Sequence, residues 1–131
     1  MSEHPNAELI RRFYDARARG DRETMRAILD QDVAWHDPYP PPHGGDLRGA
    51  EAVFRDIFDR ASELTGGTTR MSLHDVLAND AHAVALVNWS ATHRGRTMEG
   101  REVAVYHVRA GKITEAWFYP EDKSASDEFF S

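Results

Sequence analysis

The chain has no cysteine. That excludes disulfides, thiolate metal sites and a cysteine nucleophile. It lacks any apolar run near the ~18 residues of a membrane span, and its first residues, M-S-E-H-P-N-A-E, hold no apolar segment that reads as a signal peptide. The expected setting is cytoplasmic, away from membranes. A basic excess is absent too. Net charge is −6, and arginines are interleaved with acids. Phosphate binding needs a basic face, so nucleic acid is excluded as a partner. Proline is scarce except in one place: four of the six fall between 38 and 42. No phosphate loop, glycine-rich fingerprint or serine elbow occurs, and no internal repeat, linker or low-complexity stretch is visible.

What remains is an ordinary globular composition, 40% hydrophobic and 29% charged over 131 residues, which suits one domain over 1–131. From Asn6 to Arg19, Leu9, Ile10, Phe13 and Tyr14 share a helical face. Gly20 ends that helix. Asp21 caps a second, which turns Met25, Ile28 and Leu29 inward. Val33 to Asp37 reads as a strand and Pro38 to Gly45 as a loop, because proline lacks the N–H a ladder needs. A third helix runs from about Ala50 to Leu64 with Val53, Phe54, Ile57, Phe58 and Ala61 inward. Segments 68–78, 81–93, 97–109 and 112–119 are rich in Val, Thr and aromatics, with turns at Asn79-Asp80, Arg94-Gly95 and Ala110-Gly111. The tail from Glu121 is polar except for Phe129-Phe130, which dock on the domain or on a partner.

The order α-α-β-α-β-β-β-β predicts an α+β domain: a curved antiparallel sheet with three helices from the N-terminal half across its concave side, enclosing an apolar pocket. The last strands are apolar on both faces. Ala104, Tyr106 and Val108 alternate with Val103 and Val105, and Ile113, Trp117 and Tyr119 with Ala116 and Phe118. A sheet wet on one side shows cleaner alternation, so the outer face is expected to meet a second copy in a homodimer.

In that setting the segments F-Y-D-A-R-A-R-G-D (13–21), A-W-H-D-P (34–38), L-R-G-A-E-A-V-F (47–54) and G-K-I-T-E-A-W (111–117) together resemble the nuclear transport factor 2-like superfamily. The closest likeness is to its SnoaL-like and ketosteroid-isomerase-related branch. The resemblance implies a cone-shaped fold, a deep apolar pocket and frequent dimers. It does not imply one activity, since the superfamily includes isomerases, cyclases, dehydratases, epoxide hydrolases and proteins that only bind. In the steroid isomerases the base is an Asp on the first strand before a Pro, which Asp37-Pro38 matches. Their oxyanion donors, a Tyr and a protonated Asp, fall here on Phe13 and Ala104. Tyr14 is one residue off, roughly 100° around the helix. Steroid isomerisation is therefore not expected.

The candidate catalytic residues are Asp37, His93 and Tyr106. Asp37 shares a strand face with Val33 and Trp35. Among aromatics its pKa would rise and make it a base near neutral pH; the plain alternative is an Asp before Pro accepting loop N–H bonds. His93 ends its strand on the face of Trp89 and Ala91 and could share a proton with Asp37; alternatively it lies in solvent. Tyr106 needs a buried hydroxyl partner: Asp37, His93 or a substrate oxygen. His74 is a weaker pocket candidate, and Glu102 a possible rim carboxylate or a solvated strand start. Phe13, Tyr14, Trp35, Phe54, Phe58, Trp89, Ala104 and Phe118 are the expected substrate wall. His36, Asp37 and His43 do not make a metal set, because His36 and Asp37 point to opposite faces and the loop does not aim His43. The P-Y-P-P-P run reads as a rigid loop over the entrance rather than a polyproline ligand.

These residues predict a cofactor-independent enzyme of the isomerase, cyclase or hydratase type acting on a hydrophobic, oxygen-bearing small molecule. The alternatives are a non-catalytic binder of a lipophilic molecule and a structural subunit with a filled pocket. An Asp–His or Asp–Tyr pair within about 3 Å would favour catalysis, and a lone solvent-facing Asp would favour binding.

Overall fold

Proline opens the first helix. Pro5 stands where its missing N–H has no helical partner, and the His4 ring accepts from the Asn6 N–H. The computed structural model describes residues 3–39 and 45–131. Helix α1 runs Pro5–Arg19 and ends on Gly20 at φ 68°, a left-handed cap. Asp21 caps α2, Arg22–Ile28, by accepting from the Thr24 N–H at 3.1 Å and the Thr24 hydroxyl at 2.7 Å.

Strand β1 spans Leu29–Asp37 and starts four residues before the predicted Val33. The polar Asp30-Gln31-Asp32 hides this start: it sits where the register of β1 against β6 is irregular, between Leu29 and Ala34. A short β2, Gly45–Arg48, then pairs antiparallel with β1, so the predicted loop ends at Gly45 in a strand the sequence did not reveal. Residues 40–44, including His43 and most of the proline run, lie outside the described residues, as does the expected rigid loop there.

The predicted third helix is three pieces in one run: α3, Ala50–Val53, a π-helical turn, Phe54–Asp59, and α4, Arg60–Thr65. Strands β3, Arg70–Ala78, β4, His82–His93, β5, Arg96–Arg109, and β6, Lys112–Pro120, follow, and the tail forms α5, Lys123–Phe129. That last helix was missed because its one strong start signal, the Asp122 side chain accepting from Ala125 N–H, precedes a sparse apolar pattern.

The six strands form one curved sheet in the order β2-β1-β6-β5-β4-β3, antiparallel except for β1 against β6. The β4–β5 turn places Arg94 at φ 53° and Gly95 at 76°, and the β5–β6 turn Ala110 at 51° and Gly111 at 76°, the pattern of tight hairpins. A bulge in the β5–β6 register corrects one expectation. Val108 pairs with Ile113 and His107 with Glu115, leaving Thr114 extra. Ile113 therefore joins Ala116 and Phe118 on the inner face, while Trp117 and Tyr119 face out. Helix α1 packs on β3 and β4, and α2 and α3 on β1. Between the layers Ile10, Phe13, Trp35, Phe54 and Tyr106 are buried. Among the described residues no helix is long and apolar enough to cross a membrane.

Candidate active site

Strand alternation turns Val33, Trp35 and Asp37 to the inner face, and Pro38 then stops the strand. The chain turns at once, with Asp37 Oδ1 accepting from the Tyr39 N–H at 3.0 Å. Asp37 thus sits on the wall of a cavity of about 110 Å³. Trp35, Phe118, Trp89 and Ala91 supply its sheet side, and Ile57, Ala61 and Leu64 its helix side. Phe130, just after α5, closes it, its ring 5.8 Å from Tyr39 and 6.0 Å from Trp89. The polar side chains reaching the wall include Asp37, Glu102 from β5, Arg17 from α1 and Arg60 from α4.

Burial sets the electrostatics. It pushes the Asp37 carboxyl up from 3.8 to about 7, with Glu102 adding to the rise and the Tyr39 N–H and the Arg17 charge opposing it. Burial also raises Glu102, against Arg17. A carboxyl that titrates near neutrality can take and return protons at ordinary pH. An aromatic cavity supplies binding energy and keeps water out.

The family model for the SnoaL-like domain matches residues 10–116. This chain belongs to the SnoaL-like domain family. The uncharacterised protein Rv0034 of Mycobacterium tuberculosis (strain ATCC 25618 / H37Rv) is 29% identical over 132 residues, the whole of both chains. Bal32a, from a soil-derived mobile gene cassette, is 31% identical with a TM-score of 0.90 over 96% of each chain. TerC, solved after co-crystallisation with polyporic acid, is 23% identical with a TM-score of 0.82 over 96% of this chain and 98% of its own.

In this SnoaL-like domain the expected wall divides in two. Trp35, Trp89 and Phe118 line the cavity. Phe13, Tyr14, Phe54 and Ala104 are buried in the core behind it, and Phe58 packs against Trp35 at 5.7 Å. The Tyr106 hydroxyl bonds the Tyr14 hydroxyl at 2.6 Å, not Asp37 or His93. Burial raises both phenols, leaving the pair neutral. His93 is buried rather than in solvent. Its Nδ1 donates to the Leu64 carbonyl at 2.6 Å, and its ring packs on Phe129 and Phe130. It holds the end of α4 and does not meet Asp37. His74 is exposed beside a β3 bulge. His36 faces outward, between Asp46 at 2.9 Å and Glu115 at 2.7 Å, stacked on Trp117. Glu102 reaches the cavity and is half-buried, not a solvated strand start. Sequence reading missed Arg17, Tyr39 and Phe130. For Arg17 a signal existed, since it lies three and four residues beyond Tyr14 and Phe13 on the same face of α1.

Proposed function

We propose that this chain is a cofactor-independent acid–base enzyme of the isomerase, cyclase or hydratase type, acting on a hydrophobic, oxygen-bearing small molecule. Asp37 carries the reading: a carboxyl at the wall of an aromatic cavity, its pKa moved to about 7 by burial. It abstracts a proton from substrate carbon, or activates water, and returns the proton. Trp35, Trp89 and Phe118 hold the substrate body. His93 and Tyr106, expected as relay or oxygen-holding groups, are given no part in this step: the Tyr106 hydroxyl is bonded to Tyr14, and His93 bonds Leu64 through Nδ1, keeps its Nε2 buried without a partner among the described residues, and is not on the cavity wall.

A second reading, a binder without turnover, is favoured by one observation: among the described residues Asp37 has no His or Tyr side chain within hydrogen-bond reach, its bond being to the Tyr39 backbone. Against it stands the burial of that carboxyl, since a lone Asp for binding only was expected in solvent. The two readings separate with 5-nitrobenzisoxazole, a flat apolar carbon acid opened by any competent buried base. The wild-type rate is expected to rise with pH about a midpoint near 7. Asp37→Asn should lower it by about 10²-fold or more. Equal rates in the two proteins across pH 5–9 would leave only the binding reading.

A further inference from the structure

We propose that Arg17 anchors an anionic oxygen in the cavity, so that the ligand is a mostly apolar molecule carrying one carboxylate, phenolate or enolate oxygen. The inference rests on the cavity as the ligand site and names the ligand's class.

The guanidinium of Arg17 lies 4.6 Å from the centroid of the Phe58 ring. Stacking occupies the flat face of the ion and leaves its N–H edge for another partner. Among the described residues no carboxylate or carbonyl takes that edge. Five other helix arginines are paired, Arg11 with Glu3, Arg19 with Asp15, Arg22 with Asp59, Arg26 with Glu51 and Arg55 with Asp56, while Arg12, without an ion pair among the described residues, is exposed rather than half-buried. Arg60, the second arginine at the wall, has Glu63 at 3.9 Å. Arg17 is thus a half-buried cation at a cavity wall with its donors open, beside Asp37 and Glu102, which feel its charge without bonding it. Trp35, on the same wall, has its Nε1–H buried with no partner among the described residues. Buried donors of this kind want an acceptor.

The charges balance through a turnover. Before reaction Arg17 faces the Asp37 carboxylate and a neutral carbonyl substrate. Asp37 takes a proton from carbon, the C–H electron pair forms the new C=C bond, and the carbonyl π pair moves onto oxygen. Asp37 is then neutral and the enolate oxygen carries the negative charge beside Arg17. Return of the proton to carbon restores both. Arg17 therefore has a negative charge near it at each stage, and its open donors bond only the oxygen that gains charge, which is how fixed charges lower such barriers.

The probes are 2-naphthoate and its neutral isostere 2-naphthamide, titrated at pH 6 by quenching of tryptophan emission. The wild type should hold the carboxylate at least about tenfold tighter than the amide. Arg17→Met should bring the two affinities together, and Arg17→Lys should keep part of the preference. Amide binding as tight as carboxylate in the wild type overturns the proposal even if Arg17→Met does not fold. So does an unchanged preference in a folded Arg17→Met protein, or no naphthoate binding up to millimolar concentration. Asp37→Asn separates this from the base assignment: it should lower nitrobenzisoxazole turnover by about 10²-fold or more and retain the naphthoate preference.

Discussion

Asp37 holds its proton to a higher pH in the folded chain than in an unfolded one, and this makes stability depend on pH. Its ordinary value is 3.8 and its folded value about 7. The folded state thus binds more protons between those values, and the contribution, complete below about pH 4, is lost as pH rises through 7. The span corresponds to at most about 4 kcal/mol. Glu102, Arg17 and Arg60 face the same cavity and remain in an Asp37→Asn protein, which removes only the Asp37 ionisation. Urea unfolding should find Asp37→Asn more stable than wild type at pH 8 by up to that amount, with the difference shrinking toward pH 5. No difference between the pH values would mean water reaches the carboxyl freely. The inward direction of Asp37 was legible in the sequence, because strand alternation with Trp35 is local. Its companions were not. That Tyr106 meets Tyr14, 92 residues away, and that Arg17 meets the cavity, depend on how α1 lies across the sheet.

Among the elements, the β4–β5 hairpin shows how far local rules reach. A two-residue turn at Arg94-Gly95 sets every pair behind it, and so places Gly100 opposite Trp89. A Cβ on Gly100 would lie 2.7 Å from the Trp89 indole carbons. Glycine is required there because the indole lies flat over the backbone on its way to the cavity wall. Gly100→Ala should cost about 1–3 kcal/mol, as overpacking does, and shift tryptophan emission as the ring moves; an unchanged melting temperature and spectrum would show that the indole yields without cost. The β5–β6 bulge and the π-helical turn at Phe54–Asp59 have no such local signal. Each adds one residue to a regular pattern, and only packing against neighbours decides where the extra residue goes.

For the molecule as a whole, the unassigned surface is the outer sheet face. Tyr119 and Val103 are 56% and 37% exposed there, beside half-buried Val105 and Trp117. Apolar residues grouped on one face suit a partner, and a second copy is the proposed one. Sedimentation at micromolar concentration should give a dimer, and Val103→Glu with Tyr119→Arg a monomer; a wild-type monomer would remove the proposal. The first two helices, the four strands after Gly67, the hairpin turns, the inward face of β1 and the Asp37-Pro38 break were determined by the sequence alone, because each follows from residues within a few positions of one another; β2, α5 and the division of the third helix were not. The cavity was decided by tertiary structure. Its wall draws on α1, β1, the π-helical turn, α4, β3, β4, β5, β6 and the residue after α5, and no spacing rule links Arg17, Asp37, Glu102 and Phe130. Burial of Asp37, and with it a pKa near neutrality, exists only once those distant segments have closed around it.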